Sequence, residues 1–341
     1  MSRRNLLSEG FIRCCQDTYT CGSHQINAIL CYMIKLLCLW GGCLILIDSA
    51  AAKMIGDCHA NPFKQSPPNF KILESNHDAA TVRPTYATNN LIRTIALFDN
   101  DQRRNLSETE MHQFSSIGIL SAQQPDTFNT TGVLVNQPNW VLTSAHTFFK
   151  DNRRQMNFRQ FRFYLQSQSG NVYCFKIKRV IYANDKFEMN PNEDWVKIEL
   201  ASMAASEFSP FSLFLPESMP PQSALVMVGF HSDLQRGREK KIQSCSRYPI
   251  TNQHPFANQP HLIIHDCDTS TGASGSPIFL IQNHSLHLIG IHKGSFLSTE
   301  SQPHDSAYAF QPMRYFNYAV AVQPAMLRLF DQHHLNQQQR D

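Results

Sequence analysis

Asp268-Thr269-Ser270-Thr271-Gly272-Ala273-Ser274-Gly275-Ser276-Pro277 sets a serine in a glycine-flanked turn that leads directly into the apolar run Pro277 to Ile281. Two upstream stretches give this turn its meaning. Val141-Leu142-Thr143-Ser144-Ala145-His146 ends an apolar strand pattern on a histidine, after small residues that let other groups approach it. Asn192-Glu193-Asp194-Trp195-Val196-Lys197-Ile198-Glu199-Leu200 places an aspartate at the mouth of another strand, with Asp185 as a competing acid nearby. Singly, each has an ordinary structural explanation: a buried histidine, a turn aspartate, a loop serine. Their order and their strand contexts together point to one chemistry.

Between these stretches, short apolar runs recur between turn clusters: Ile117 to Leu120, Val133 to Val135, Phe161 to Leu165, Val172 to Ile181, Ala224 to Phe230, Leu262 to His265, Leu286 to Ile291 and Tyr318 to Val322. Closely spaced strands without long helical stretches predict an all-β barrel or sandwich. Pro324 to Phe330 has helical spacing with proline suited to a first turn, and the polar residues from Gln332 to Asp341 are expected to fray.

A serine hydroxyl is a poor nucleophile at neutral pH, and an imidazole within hydrogen-bond reach can take its proton and return it to a leaving group. A carboxylate behind the imidazole fixes its tautomer and stabilises the imidazolium. Ser274, His146 and Asp194 supply these three groups. Gly272 lets the chain turn so that the N–H groups of Gly272 and Ser274 point at a developing oxyanion.

The segments TSAH (143–146), DWVKIEL (194–200) and GASGSP (272–277) resemble the His, Asp and Ser motifs of the chymotrypsin-like serine proteases, and most of all the bacterial glutamyl endopeptidase branch. The order His, Asp, Ser is that of this group, whereas α/β-hydrolases run Ser, acid, His with a G-x-S-x-G elbow that is absent here. Asp99 to Arg103 resembles the start of the mature enzyme in that branch, and Phe316 to Val320 its closing strand, so the likeness covers roughly residues 95 to 330. It implies an all-β fold of two six-stranded antiparallel barrels with a short C-terminal helix, and endopeptidase activity on protein or peptide substrates through an acyl-enzyme.

The resemblance also has departures. Thr147 stands where many animal members have the cysteine that follows the histidine. Ala273 replaces the aspartate with which trypsin-like zymogens pair a newly freed N-terminus, so that switch cannot operate. In the glutamyl branch a freed N-terminus serves the substrate pocket instead. For that pocket the resemblance implies Asp268, Thr269 and His292, with Lys293 adding positive potential. Asp268 is ambiguous, since trypsin-like enzymes place there the carboxylate that attracts Arg or Lys, while some glutamate-specific relatives keep it too. Cleavage after Glu or Asp is the expectation.

With 42% hydrophobic and 17% charged residues, the 341-residue chain has the composition of a globular protein. A formal net charge of +3 without a long basic run gives no reason to expect nucleic acid, and Arg103-Arg104 and Arg153-Arg154 read as surface charge or processing sites. Met33-Ile34-Lys35, the apolar stretch Leu36 to Ile47 and the small residues Ser49 to Ala52 have the layout of a secretory signal peptide at 33–52. Residues 1–32 form an extension, untranslated or disordered, and 53–94 a pro-segment or linker ahead of a peptidase domain at 95–335. A secreted or periplasmic monomer without stable membrane association is expected. Export would put Cys245 and Cys267 in an oxidising compartment as the favoured disulfide, with Cys58 and Cys174 free or paired. No H-E-x-x-H occurs, and neither His333-His334 nor His261 with His265 has supporting ligands, so no metal and no cofactor is expected. Two alternatives stand beside the protease: a catalytically silent binding protein on the same fold, and an esterase-type acyl hydrolase.

Overall fold

The computed structural model describes residues 62–63, 96–98, 100–122, 129–150, 154–183, 190–297 and 309–338. The expected extension and signal peptide, most of the pro-segment, Arg153 and Asp185 lie outside the described residues. Among those described, no helix is long and apolar enough to cross a membrane.

Six antiparallel strands close the first barrel: β2 (Ile117–Ala122), β3 (Thr130–Leu134), β4 (Trp140–Thr143), β7 (Phe161–Gln166), β8 (Val172–Tyr182) and β9 (Val196–Leu200), ordered β2-β3-β4-β9-β8-β7. The short strands β1 (Arg104–Asn105), β5 (Phe149–Lys150) and β6 (Arg154–Gln155) lie outside this ring. The second barrel is built from β10 (Ala224–Phe230), β11 (Lys240–Tyr248), β12 (Leu262–His265), β13 (Pro277–Gln282), β14 (Ser285–Leu297) and β15 (Tyr315–Ala321). It closes where Arg247 and Tyr248 of β11 meet His265 and Ile264 of β12. The fold is therefore the chymotrypsin-like pair of six-stranded barrels.

Strand alternation explains how the two barrels share a core. Leu225 and Met227 point into the second barrel, whereas Val226 and Val228 from the same strand join a layer that also holds Ile117, Ile119, Val133 and Leu142 of the first. Leu120, Leu134 and Val141 turn the other way, into the first barrel's own interior. In β9, Val196, Ile198 and Leu200 face that interior. The intervening Lys197 lies over the Trp140 ring, 3.2 Å from its centroid, and donates to the Leu329 carbonyl, so the ammonium is not left bare.

Two elements were not foreseen. β11 carries only Ile242, Cys245 and Tyr248 as apolar residues, so no apolar run announces it, yet it pairs with β10 through seven successive positions. Its polar residues are compensated individually: the buried Gln243 donates to the Asp268 carbonyl and accepts from the Asp268 N–H, and the half-buried Lys240 donates to the Phe114 carbonyl. The helix α1 (Glu108–Gln113) starts from a capping box in which Ser107 and Glu110 satisfy each other's backbone N–H, a signature present in Ser107-x-x-Glu110. The terminal helix α2 (Pro324–Gln338) begins at the expected proline but continues well past Phe330, into the segment expected to fray.

A disulfide joins Cys245 to Cys267, across 22 residues, and Cys174 is disulfide-bonded as well. The Cys245–Cys267 link pins the apolar-poor β11 to the segment that leads to Ser274. Replacing both cysteines by alanine is expected to cost about 3 kcal/mol through the entropy the cross-link removes from the unfolded chain. Urea unfolding of the double variant should show that loss at equilibrium.

Candidate active site

His146 follows β4 in a turn of 3-10 helix, Ala145–Phe148. The strand end is fixed from both sides: Thr143 Oγ1 donates to the Thr131 carbonyl at 2.6 Å, and Ser144 Oγ donates to the His292 carbonyl at 3.1 Å. Asp194 ends another 3-10 turn, Pro191–Glu193, capped by the Asn190 side chain. Asn192 ties that turn to the second barrel. Its carbonyl accepts from Gln323 Nε2 at 2.7 Å, its Oδ1 accepts from the His261 N–H at 3.2 Å, and its Nδ2 donates to Gln259.

Ser274 sits between Gly272 and Gly275, both in left-handed conformations with φ of 96° and 79°. At Gly275 the requirement is also steric, since a Cβ there would lie 2.1 Å from the Thr131 carbonyl oxygen. The turn is held against β3 by three bonds: Thr131 N–H and Thr130 Oγ1 donate to the Ser274 carbonyl at 2.9 and 2.6 Å, and Thr131 Oγ1 donates to the Gly272 carbonyl at 2.9 Å. Gly275 N–H donates to the His292 carbonyl. No acceptor among the described residues engages the N–H of Gly272 or Ser274.

These elements bring His146, Asp194 and Ser274 together. His146 Nε2 is 2.9 Å from Ser274 Oγ, and His146 Nδ1 is 2.7 Å from Asp194 Oδ2. Asp194 Oδ1 accepts from the backbone N–H of His146 at 2.8 Å, so the carboxylate grips both ring and main chain. Burial alone would raise the Asp194 pKa, but the facing His146, the nearby Lys293 ammonium and these hydrogen bonds outweigh it and hold the carboxyl well below its usual range. The arrangement places a carboxylate, an imidazole and a serine hydroxyl in one hydrogen-bonded series.

The expected pocket residues meet different fates. Asp268 is buried, and its two carboxylate oxygens accept from the backbone N–H groups of Phe98 and Gln102 at 2.7 and 2.9 Å. It anchors an upstream arm, and its charge is already engaged. Thr269 is buried beside it and exchanges two backbone bonds with Ala96, while its hydroxyl has no partner among the described residues. Lys293 has its ammonium 3.4 Å from Asp194 Oδ2 and 3.2 Å from Tyr318 Oη.

His292 is buried and joined to His265, which the sequence offered only as a strand end and a poorly supported metal ligand. The Cys267 N–H donates to His265 Nδ1, so a neutral His265 carries its proton on Nε2. That proton bridges to His292 Nδ1 at 3.2 Å, which leaves the His292 proton on Nε2 without a partner among the described residues. Burial pushes the His265 pKa down to about 3 and that of His292 well below the ordinary value, His265 adding to the effect on His292. Both rings act as neutral dipoles.

Arg103 also departs from expectation. Its guanidinium is buried, bonded to Asp101 and bidentate to Asp233 at 3.0 and 2.7 Å, while Ser270 Oγ donates to the same Asp233. Only Arg104 is the exposed charge foreseen for the pair, bonded to Glu110. Among the described residues, Cys245, His265 and Cys267 bring potential metal-ligand atoms within 4.8 Å of one another, but the two sulfurs are joined as a disulfide.

Comparison with known proteins bears on this geometry. Residues 130–291 match the family model of the trypsin-like peptidase domain, a span that includes His146, Asp194 and Ser274. Many solved structures match the fold. One of them, a Glu endopeptidase in complex with MPD, superposes with a TM-score of 0.51 at 14% identity, covering 70% of this chain and 99% of that one. No curated protein sequence matches the chain.

The buried neutral histidines carry a consequence for stability. His231, like His265, is pushed down to about 3, by burial first and then by Arg103. Since the folded pKa lies below the unfolded value of about 6.5, the unfolded chain takes up protons that the fold refuses. Stability should therefore fall as pH drops from about 6.5 toward 3. Denaturant titrations across that range should show the decline, and His231→Gln should flatten it by about 1.4 kcal/mol per pH unit.

Proposed function

We propose that the chain is a serine-type endopeptidase in which Ser274 is the nucleophile, His146 the general base and Asp194 the acid that orients the base, a reading supported by the trypsin-like peptidase match over residues 130–291 and the chymotrypsin-like fold. The observation that carries this reading is the unbroken bond series from Asp194 through His146 to Ser274. Ser274 Oγ attacks the scissile carbonyl as its proton passes to His146 Nε2. The same proton then goes to the departing amine, leaving an acyl-enzyme that water hydrolyses by the reverse sequence. The uncommitted N–H groups of Gly272 and Ser274 are the donors for the developing oxyanion.

The substrate preference we propose is for Glu or Asp before the scissile bond. Asp268, the group that would otherwise attract Arg or Lys, is buried under two backbone donors. The His292 Nε2–H and the Thr269 hydroxyl are left as donors for a carboxylate, and the His265 bond holds the imidazole in the donating tautomer. The signal-like stretch at 33–52 supports an exported enzyme.

A biotinylated organophosphonate should label Ser274, and Ser274→Ala should abolish labelling. No labelling of the native protein would favour a silent binding protein. Asp194→Asn should lower kcat by about 10⁴-fold, through loss of the correct tautomer. Peptides differing only at the residue before the scissile bond should be cut fastest after Glu or Asp, and His292→Ala should erase that advantage. Preference for Arg would overturn the specificity.

A further inference from the structure

Lys293 stands at an unusual place for a lysine. It is the extra residue of a bulge in β14, where the pairing to β15 shifts between His292 and Gly294. A bulge re-aims the side chains it carries. Here it puts the ammonium 3.4 Å from Asp194 Oδ2, the oxygen that also faces His146 Nδ1, with the Lys293 side chain only 12% exposed. The main chain of the same residue faces the nucleophile, since the Lys293 carbonyl oxygen lies 3.3 Å from Ser274 Oγ. One residue thus touches both ends of the series.

We propose that Lys293 is a positioning residue that works through Asp194, holding the carboxylate in place as an anion and moving the pH range in which His146 acts as a base toward lower pH. The inference rests on the catalytic roles proposed above. A buried carboxylate with no other cation would draw a proton onto the imidazole, because an imidazolium is then its only compensation. An ammonium on the far side supplies that compensation permanently, so a proton on His146 gains less. His146 is then free to accept the serine proton at a pH where it would otherwise already be charged.

The surrounding groups agree with this assignment. Burial on its own would lower the Lys293 pKa, but Tyr318 and Asp194 outweigh it and raise it, so the ammonium stays charged throughout the working range. Its remaining neighbour is the Tyr318 hydroxyl from β15, whose ring lies 5.2 Å below the ammonium. From β14 itself the adjacent titratable group is His292, which burial keeps uncharged. From the turn after β4 it is His146. The facing His146 and then the Lys293 ammonium hold the Asp194 carboxyl down against its burial.

The test is the pH profile of kcat/KM for Lys293→Met and Lys293→Gln, normalised to active sites titrated with the phosphonate. The acid limb should move to higher pH by on the order of one unit, costing about tenfold in rate below the limb and little above pH 9. Lys293→Arg should keep the native limb, and so should Tyr318→Phe, which leaves the ion pair intact. An unmoved limb in folded, titratable Lys293→Met and Lys293→Gln would overturn the proposal. A readout independent of turnover uses the Ser274→Ala background, where the low-field Nδ1–H proton resonance of His146 is followed with pH. The transition of that resonance should move upward by a similar amount when Lys293 is replaced by Met, and an unchanged transition counts against Lys293 alone. Absence of phosphonate labelling in the native enzyme would strike the catalytic reading instead.

Discussion

The bonds between the Ser274 turn and β3 are the constraint on which the site depends. His146 and Asp194 belong to the first barrel and Ser274 to the second, so their separation is only as fixed as the contact between barrels. The Ser274 carbonyl accepts two donors from Thr130 and Thr131, and Gly275 is pressed against the Thr131 carbonyl where no Cβ would fit. Behind them lies the shared apolar layer of Val133, Leu142, Val226 and Val228. A site of this kind fails by small displacements, so close packing and directional bonds act together: the first resists sliding, the second fixes register.

Electrostatics divides the same region into a charged half and a neutral half. On one side Asp194 is flanked by Lys293 and His146, and its burial is tolerated because an ammonium and N–H donors surround it. On the other, His265 and His292 are buried without a carboxylate partner and remain uncharged, bonded to each other in a fixed donor direction. Three residues of one strand therefore do different work: His292 presents a neutral dipole, Lys293 a permanent charge, and Gly294 no side chain at all. The bulge in β14 makes the difference, since regular alternation would send His292 and Gly294 to one face and Lys293 to the other without turning any of them.

That distinction also marks the limit of what the sequence discloses. The convergence of the turn at 272–277, the strand-end histidine and the aspartate before β9 could be anticipated because each stands in a recognisable local context. Most barrel strands were legible as apolar runs. β11 was not, because its burial is satisfied by Gln243, Lys240 and their distant partners and not by apolar residues. Asp268 fits equally a pocket or an anchor when only its spacing from Ser274 is known, and the decision comes from backbone amides some 170 residues upstream. Arg103 looked like surface charge because its partner Asp233 is 130 residues away. What escapes a local reading is the pairing of polar groups that are remote in sequence.

The upstream arm shows how far such pairings extend the functional unit. Ala96 exchanges backbone bonds with Thr269, Phe98 and Gln102 satisfy Asp268, and Arg103 neutralises Asp233, which in turn accepts from Ser270. Asp268, Thr269 and Ser270 lie in the few residues before Ser274, with Asp233 joined to them through Ser270, yet the arm precedes the matched peptidase span that begins at residue 130. A chain shortened past Arg103 would strip the buried Asp268 of both its N–H donors and leave Asp233 only Ser270, and unpairing a buried carboxylate such as Asp268 costs several kcal/mol. The loop carrying Thr269 would have to rearrange to rehydrate them, and Ser274 lies five residues farther on. The arm from Ala96 to Arg103 is thus tied to the Ser274 segment by an electrostatic requirement, the pairing of Asp268 and Asp233 with donors from the arm.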